Sequence, residues 1–223
     1  MRQIVLDTET TGLEVSQGHR IIEIGCIEIM HRRLTDQTFH QFLNPKRDID
    51  EGALEVHGIK QEFLEDKPVF SNIADDLLQF IDGVELIIHN AAFDIGFINA
   101  ELSYAHHGIS DIRECCTVID SLKLARKMHP GQKNSLDALC KRYAIDNSHR
   151  ELHGALLDAQ ILADVYLAMT GGQTTLSLTA NIDKAARHNV SAQDTMKQRS
   201  SLKIIYADET ELNAHKDFLD KIQ

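Results

Sequence analysis

The sequence predicts an α/β domain, with a mixed β-sheet flanked by helices, followed by a flexible C-terminal tail. Segments with the alternation of β-strands come first, and segments with helical spacing alternate with strands later in the chain. Hydrophobic residues make up 43% of the 223 residues, which is enough for a buried core. After Thr170-Gly171-Gly172 the apolar periodicity stops, and the polar composition beyond it predicts the tail.

The opening segment predicts three strands. They lie at residues 4–6, 21–30 and 38–43, and in the second of them Ile22, Ile24 and Cys26 alternate with polar or small residues. Between the first two strands, Gly12 and Gly18 lie among turn-forming residues. Neighbouring strands joined by short turns pair antiparallel, so the domain is expected to open with a meander.

After the meander the pattern changes to helical spacing. Apolar residues from Ile73 to Ile81 recur at helical intervals, and Gly83 follows as a stop signal. A short apolar run at 85–88 predicts a strand that leads into a helix over 93–104. The remaining predicted elements are a strand at 118–119, two helices begun by Asp120-Ser121 and Asn134-Ser135, and a helix at about 155–169. Strands that alternate with helices after an antiparallel start indicate a mixed sheet.

Acidic residues outnumber basic ones, and the excess lies in the predicted domain. The chain has 34 Asp and Glu against 23 Lys and Arg, a net charge of −11. Residues 172–223 hold seven of each sign, so residues 1–171 carry the whole excess. An acidic surface disfavours loose attraction to a phosphate backbone, since Lys and Arg normally supply it. If the protein handles nucleic acid, bound metal or a partner must help.

Neither the N-terminus nor the cysteines indicate secretion or a membrane. The apolar run Ile4-Val5-Leu6 is too short for a signal peptide or a membrane span. The four cysteines include no C-x-x-C pair, which argues against a zinc site and a disulfide framework. We therefore expect a cytoplasmic protein with free thiols and no membrane partner.

Two acidic residues at the end of the first strand predict a cation site. Asp7 and Glu9 are two positions apart, and the period of a strand places both carboxylates on one face. Paired carboxylates suit hard divalent cations, which prefer oxygen ligands. Taken alone, the pair fits a solvated strand end at least as well, because acids at this spacing are common in a chain of this composition.

Two later junctions before helices carry further carboxylates. Asp94 falls in the first turn of a helix, where the helix dipole favours an acid and Asn90 can serve as the N-cap, so a structural role explains it equally well. Farther along, His153 precedes the last helix and Asp158 lies in it. A histidine can accept a proton from water near neutral pH. Because the chain has 12 histidines, one of them is also expected to precede a helix by chance.

Three motifs taken together are specific. They are D-x-E from Asp7, N-x-x-x-D from Asn90 and H-x-A-x-x-D from His153, in that order. This pattern resembles the DEDD exonuclease superfamily, and the histidine places the chain in its DEDDh branch. The stretches 7–12, 56–59, 89–94, 134–139 and 152–172 are similar to the proofreading-subunit family of bacterial DNA polymerase III. The likeness covers essentially residues 2–178 and implies a ribonuclease H-like exonuclease fold.

The resemblance implies metal-dependent hydrolysis. Two divalent cations, Mg²⁺ or Mn²⁺, would be held by four carboxylates, with His153 as the general base that takes a proton from water; those carboxylates belong to Asp7, Glu9, Asp94 and Asp158. Physical reasoning agrees, because four converging carboxylates would repel one another strongly without about two divalent cations to offset them. The product would be a 5′ mononucleotide.

The family pattern also implies contacts to the terminal nucleotide, made by Asp7, Glu9, Thr8, Gly52, Leu54, His57 and Asp158. Gly52, in a predicted loop over 50–55, stands where a relative has an acidic residue, and its backbone can approach the nucleotide closely. Leu54 is expected to wedge against the base, and Thr8 to offer its backbone N–H. For His57 a structural role in a turn is equally compatible, and His89 is expected to be a buried structural residue.

A run of basic residues interrupts the acidic domain between residues 121 and 143. Six basic side chains are accompanied there by one acid, Asp137; they are Lys123, Arg126, Lys127, Lys133, Lys141 and Arg142. Such a run can follow phosphates. Solvated helix faces are the alternative, and they are common for scattered Lys and Arg.

The tail implies a second kind of function, the binding of partners. Residues 173–178 resemble the peptide by which bacterial polymerase components dock on the sliding clamp, with Gln173 followed by Leu176 and Leu178. Residues 201–223 resemble the region that binds the polymerase catalytic (alpha) subunit, and the small theta subunit is a further partner that the family implies. The expected organisation is an exonuclease domain at 1–172, a clamp-binding peptide and linker at 173–200, and a polymerase-binding tail at 201–223.

The resemblance thus implies a 3′ to 5′ exodeoxyribonuclease that removes misincorporated nucleotides from a frayed DNA 3′ end within a replicative polymerase. One alternative is an exonuclease that trims RNA 3′ ends, although such relatives lack the tail. Another is a scaffold that joins clamp to polymerase. The four acids and His153 argue against a scaffold, because a scaffold has no need of mutually repelling carboxylates.

Overall fold

The computed structural model describes residues 1–148 and 152–171. Within them, a five-stranded mixed sheet has the strand order β3-β2-β1-β4-β5. The strands are β1 (Arg2–Thr10), β2 (Ile21–Met30), β3 (Arg33–Phe42), β4 (Glu85–Ile88) and β5 (Thr117–Asp120). The first three form the predicted antiparallel meander, while β4 pairs parallel with β1, and β5 parallel with β4. The predicted mixed sheet is confirmed.

Helices flank this sheet. They are α1 (Glu51–His57), α2 (Gln61–Leu64), α3 (Ala74–Ile81), α4 (Ala91–Tyr104), α5 (Ser121–Met128), α6 (Leu136–Tyr143) and α7 (Ala155–Gly171). The helices predicted from apolar spacing are confirmed as α3 to α7. Of the two residue pairs predicted to begin helices, Asp120 caps α5 by accepting the Lys123 N–H, and Ser135 caps α6 by accepting the Ala138 N–H.

The segment at 50–57, predicted as a loop and a turn, is the helix α1 instead. Asp50 occupies its N-cap position, and Gly58 ends it with a φ of 68° and an N–H bond to Leu54 O. In α1 only His57 is buried. A seven-residue helix without a buried apolar stripe has no helical periodicity to detect, which is why the sequence pattern missed it.

The two faces of the sheet build separate cores. Alternation along β1 places Ile4 and Leu6 with α3 and α4, and Val5 with α5, α6 and α7. The sheet is therefore covered by helices on both sides, and the predicted sheet flanked by helices is confirmed.

A partly buried ion pair fixes α4 against the meander. Arg20, which precedes β2, donates through Nε and Nη2 to the two carboxylate oxygens of Glu101, at 2.7 and 2.6 Å. The Ile21 N–H donates to the same carboxylate at 3.1 Å. Bidentate pairs of this kind restrict orientation as well as distance, so α4 and its first turn are held in place relative to β2.

No helix within residues 1–148 and 152–171 is long and apolar enough to span a membrane. The four cysteines are free thiols, and burial raises the pKa of Cys26.

Candidate active site

The carboxylates of β1 are divided between the two faces of the sheet by strand alternation. Asp7 and Glu9 follow Val5 at the two-residue period and lie on the α7 side, whereas Thr8 lies on the α4 side. Thr8 Oγ1 accordingly donates a hydrogen bond to Asp94 Oδ1 of α4 at 2.8 Å. One strand thus presents groups to the helices on both of its faces.

Asp94 lies in the first turn of α4 and is almost fully buried, with 3% of its surface exposed. Burial raises the pKa of this carboxyl to about 7, against the hydrogen bond from Thr8, which lowers it. Asn90 occupies the N-cap position in a left-handed conformation, with a φ of 69°, and its side chain makes no capping hydrogen bond. Asn90 is therefore at the N-cap position, as predicted, but its side chain does not cap the helix.

Asp158 and His153 meet at the start of α7. Asp158 is buried in the first turn, and its Oδ2 lies 3.1 Å from Nδ1 of His153, whose ring is 42% exposed. One ligand atom from each of Glu9, His153 and Asp158 lies within 4.8 Å of the other two. Donors so close together can share one cation.

All five residues predicted as metal ligands or general base line a single cleft of about 190 Å³, which we call the metal cleft. Its lining consists of Asp7, Thr8, Glu9, His89, Asn90, Phe93, Asp94, Leu136, His153 and Asp158. Carboxylate oxygens dominate the ionisable groups, and this donor set fits a hard divalent cation. The burial of Asp94 adds to the fit, because a nearby cation offsets the cost of ionising a buried carboxyl.

Two residues of β2 that the sequence did not single out bring α7 close to β1. A Cβ on Gly25, the partner of Asp7 across the strands, would lie 2.3 Å from Leu156 N of α7. Glu23 Oε2 accepts the Ala155 N–H at 3.1 Å at the helix start. A glycine inside a β-branched strand is a signal of close backbone approach and could have identified Gly25; no sequence signal distinguishes Glu23.

A second cleft of about 370 Å³ adjoins the metal cleft; we call it the α1 cleft. Its lining consists of Thr8, Glu9, Thr10, Gly12, Leu13, Asp50, Gly52, Ala53, Val56, His57 and Phe93. Thr8, Glu9 and Phe93 line both clefts, so the two are continuous. The start of α1 is joined to the residue that follows β1 by a hydrogen bond from Asp50 N–H to Thr11 O at 3.0 Å.

Among the predicted substrate contacts, Gly52 and His57 line the α1 cleft and Leu54 does not. Leu54 is 38% exposed and lines a neighbouring cavity with Lys60 and Gln61. Exposed apolar side chains in the α1 cleft are Leu13 and Val56, which the sequence did not indicate. An exposed leucine or valine has no distinguishing sequence signal.

His57 has a structural bond and also faces the α1 cleft. Its Nδ1 accepts the Ile59 N–H at 3.0 Å, which leaves the ring proton on Nε2. Burial lowers the pKa of this ring, and the charge of His153 lowers it further. Nε2 is itself buried, and a backbone hydrogen bond with Thr10 raises the pKa against these two effects.

The segment that carries His153 is attached to the end of α1. The His153 N–H donates to Val56 O at 3.1 Å. A Cβ on Gly58 would lie 2.5 Å from Leu152 Cδ1, so Leu152 occupies the space beside that glycine. The wall of the α1 cleft and the segment that carries His153 are therefore joined by a hydrogen bond and a packing contact.

His89 was expected to be a buried structural residue, and its position agrees only in part. It is half-buried, its Nδ1 lies 2.9 Å from Ser121 Oγ, and burial lowers its pKa. The ring also lines the metal cleft. The predicted clamp-binding residues Gln173, Leu176 and Leu178 lie outside the described residues.

Comparisons with known proteins agree with this geometry. The exonuclease family matches residues 4–166. The DNA polymerase III subunit epsilon of Salmonella typhimurium LT2 is 53% identical over 227 residues, covering 100% of this chain and 93% of that protein. The chain belongs to the epsilon-subunit family of DNA polymerase III. The Escherichia coli K12 epsilon subunit is 52% identical with the same coverage, and that of Rickettsia felis is 49% identical, covering 100% of this chain and 97% of that protein.

Membership of the epsilon family makes this chain a proofreading exonuclease, an enzyme that hydrolyses phosphodiester bonds. A structure of exonuclease X in complex with 5′-overhanging duplex DNA is similar, with a TM-score of 0.57 and 25% identity over 76% of this chain and 92% of that one. The Escherichia coli exonuclease I–single-stranded DNA complex has a TM-score of 0.66 and 16% identity over 77% of this chain and 41% of that one, which shows a shared fold.

Proposed function

We propose that this epsilon-family chain removes nucleotides one at a time from the 3′ end of a DNA strand, releases 5′ mononucleotides, and does so as the proofreading subunit of DNA polymerase III. One observation supports this above the others. Four carboxylates from β1, α4 and α7 converge with an exposed histidine in one cleft that continues into a larger one.

The carboxylates would hold two divalent cations, Mg²⁺ or Mn²⁺. Asp7, Glu9 and Asp158 would be the ligands, and Asp94 would support them directly or through a water molecule. When bound, such cations lower the pKa of water and offset the negative charge that develops on the phosphate. The donor chemistry and the burial of Asp94 support this assignment.

His153 would act as the general base. If Nδ1–H donates to Asp158, the second ring nitrogen carries a lone pair that can take a proton from the attacking water. The ring is exposed enough to pass that proton on to solvent. Asp158 would thereby orient the ring as well as contribute to the metal site.

The α1 cleft would receive the terminal nucleotide. Because Thr8 and Glu9 line both clefts, a nucleoside in the α1 cleft places its phosphate beside the carboxylates. His57 would donate from Nε2, and Gly52, beside which a Cβ would meet open space, would allow the substrate to approach α1 closely. The backbone N–H of Thr8 and the side chain of Leu54 remain predicted contacts.

The tail would connect this domain to its partners in the cytoplasm. In the proposed organisation, residues 1–172 form the exonuclease domain, 173–200 carry the clamp-binding peptide with Gln173, Leu176 and Leu178, and 201–223 bind the catalytic (alpha) subunit. The theta subunit would be a further partner. An acidic domain attracts DNA weakly, so tethering to the polymerase would raise the effective concentration of the frayed 3′ end.

The test compares His153→Asn with His106→Asn, the same change at an exposed histidine that lines neither cleft. Full-length protein with Mg²⁺ is given a DNA primer with a terminal mismatch and an RNA of the same sequence. We expect stepwise release from DNA, faster at the mismatch, with kcat lowered by about 10²- to 10⁴-fold in His153→Asn alone.

Three results would contradict the proposal in different ways. Equal activity of the two variants would remove His153 from the mechanism. Preference for the RNA would indicate RNA trimming, and cleavage of neither strand would leave the scaffold role.

A further inference from the structure

Positive charge is concentrated beside the metal cleft in an otherwise acidic domain. Residues 121–143 hold six basic side chains and one acid, a net charge of +5, whereas the rest of the chain carries −16. The six side chains, Lys123, Arg126, Lys127, Lys133, Lys141 and Arg142, belong to α5, α6 and the segment between them. We call them the basic surface. The first five are exposed and Arg142 is half-buried.

The basic surface adjoins the metal cleft through the paired ends of β4 and β5. Ile88 of β4 pairs with Asp120 of β5, so His89 and the first residue of α5 leave the sheet side by side. His89 Nδ1 accordingly lies 2.9 Å from Ser121 Oγ, and the charge of Arg126 contributes to the lowered pKa of His89. His89 and Leu136, the first residue of α6, both line the metal cleft.

The segment between α5 and α6 is held in a defined conformation. Arg142 donates through Nη1 to Asn134 Oδ1 at 3.0 Å and through Nη2 to Lys133 O at 2.8 Å. Asn134 Nδ2 in turn donates to Gln132 O at 2.9 Å. These bonds hold the backbone at Lys133 close to Leu136 and the cleft. Lys123 lies at the other helix start, 3.5 Å from Asp120.

The two clefts define a direction for a bound strand. The α1 cleft continues from the metal cleft on the side of Thr8, Glu9 and Phe93, and His89 and Leu136 line the metal cleft only. A strand with its terminal nucleotide in the α1 cleft and its scissile phosphate at the carboxylates then leaves past His89 and Leu136. We propose that the basic surface binds the phosphates of the DNA strand upstream of the scissile bond.

This inference rests on the proposed function and extends it to the part of the substrate that is not cleaved. Phosphate contacts from Lys and Arg supply affinity without sequence information, which suits an enzyme that must accept any sequence. An acidic protein surface would be attracted by the same charges. DNA is favoured because the basic surface borders the cleft that the strand must cross.

The experiment neutralises two residues of the basic surface. Full-length Arg126→Gln/Lys133→Gln is compared with Arg33→Gln/Lys46→Gln, which changes the net charge equally at exposed residues that line neither cleft. Two substrates are used with Mg²⁺: a single-stranded oligonucleotide, and the p-nitrophenyl ester of thymidine 5′-phosphate, which has no upstream strand. Hydrolysis of the ester also reports that each variant is folded.

We expect the first variant to raise KM for the oligonucleotide on the order of tenfold at about 0.1 M salt. The slope of log KM against the logarithm of the salt concentration should fall by about 1.4, because each phosphate contact to a single strand contributes about 0.7 to that slope. Ester hydrolysis should be the same in all proteins. An unchanged oligonucleotide KM would overturn the proposal. An unchanged oligonucleotide KM together with weaker binding of the variant to the polymerase catalytic subunit would assign the surface to a protein partner. If the unaltered protein hydrolyses neither substrate, the proposed function is overturned as well.

Discussion

Among the residues that line the metal cleft, Asp94 has the smallest exposed fraction. It is buried, receives a hydrogen bond from Thr8 and has a pKa raised to about 7. Asp158 is also buried, but it contacts the His153 ring. The two buried carboxyls therefore differ in their surroundings: burial raises the pKa of Asp94 to about 7, whereas Asp158 contacts the proposed general base.

The raised pKa of Asp94 predicts a pH-dependent stability for the metal-free protein. Between the ordinary carboxyl pKa of 3.8 and about 7, the folded protein binds more protons than the unfolded chain. The free energy of unfolding therefore falls as the pH rises through that window. In EDTA, the Tm followed by circular dichroism should fall from about pH 5 to about pH 8, and Asp94→Asn should flatten this fall.

Asp82→Asn, at an exposed carboxyl outside both clefts, is the matched control and should keep the dependence. Added Mg²⁺ should raise the Tm more at the higher pH, because the ionised carboxyl is the form that supports a cation. The same pH dependence in Asp94→Asn as in the unaltered protein would contradict the assignment.

At the scale of elements, close approach between backbones decides whether the site forms. α7 packs closely against β2 at Gly25, where a side chain would overlap the backbone of the helix. The end of α1 holds the segment of His153 through Val56 O and the contact of Leu152 with Gly58. Each contact joins elements that are far apart in the chain.

Gly25→Ala should displace α7 and with it Asp158. Its Cβ would meet backbone atoms of Ala155 and Leu156 at 2.4 and 2.3 Å, which cannot move aside as a side chain can. We expect a loss of about 1 to 3 kcal/mol in the free energy of unfolding and a lower kcat. Gly96→Ala in α4, with open space around its Cβ, should instead raise stability by up to about 1 kcal/mol. Urea unfolding measures both, and equal stabilities would refute the close-approach argument.

Gly58→Ala should lower kcat through His153. Gly83→Ala is the matched control, because φ is 68° at Gly58 and 67° at Gly83, so both changes carry a similar backbone cost of about 1 kcal/mol. Only the first meets a side chain, Leu152. A displaced general base should lower kcat about tenfold with a smaller change in KM, measured on the nucleotide ester. If both variants keep the same kcat, the connection between α1 and His153 has no catalytic role.

At the scale of the whole molecule, the charge distribution bears on how substrate reaches the proposed site. The chain has a net charge of −11, yet the proposed site must receive a polyanion. A mixed sheet covered on both faces leaves the ends of its strands as the place where acids from β1, α4 and α7 can meet. Partner binding through residues 173–223 would then compensate for weak attraction to DNA.

A chain that ends at residue 172 should separate hydrolysis from assembly. We expect it to keep the kcat of the full chain on the nucleotide ester, because the metal cleft and the α1 cleft lie within residues 1–171. Binding to the sliding clamp and to the polymerase catalytic subunit, measured by surface plasmon resonance, should be lost. Full-length Leu176→Ala/Leu178→Ala should lose the clamp alone. Clamp binding by the truncated chain would exclude the predicted peptide.

The sequence by itself determined the five strands of the sheet, the helices α3 to α7, the residues of the candidate site and the family. Buried apolar side chains at strand or helical spacing leave a recognisable pattern, which is why α3 to α7 and the meander were predictable. The carboxylates and His153 were predictable because their chemistry restricts residue type and their order forms a motif. The metal ligands and base named from those motifs all line one cleft.

Only the tertiary structure showed α1 as a helix, the wall that it forms, the roles of Gly25 and Glu23, and the place of the basic surface beside the metal cleft. None of these leaves a local pattern. A short exposed helix lacks a buried stripe, and a glycine at a close approach is defined by a helix about 130 residues away along the chain. Contacts between distant segments depend on strand register and packing, which arise only when the whole domain folds.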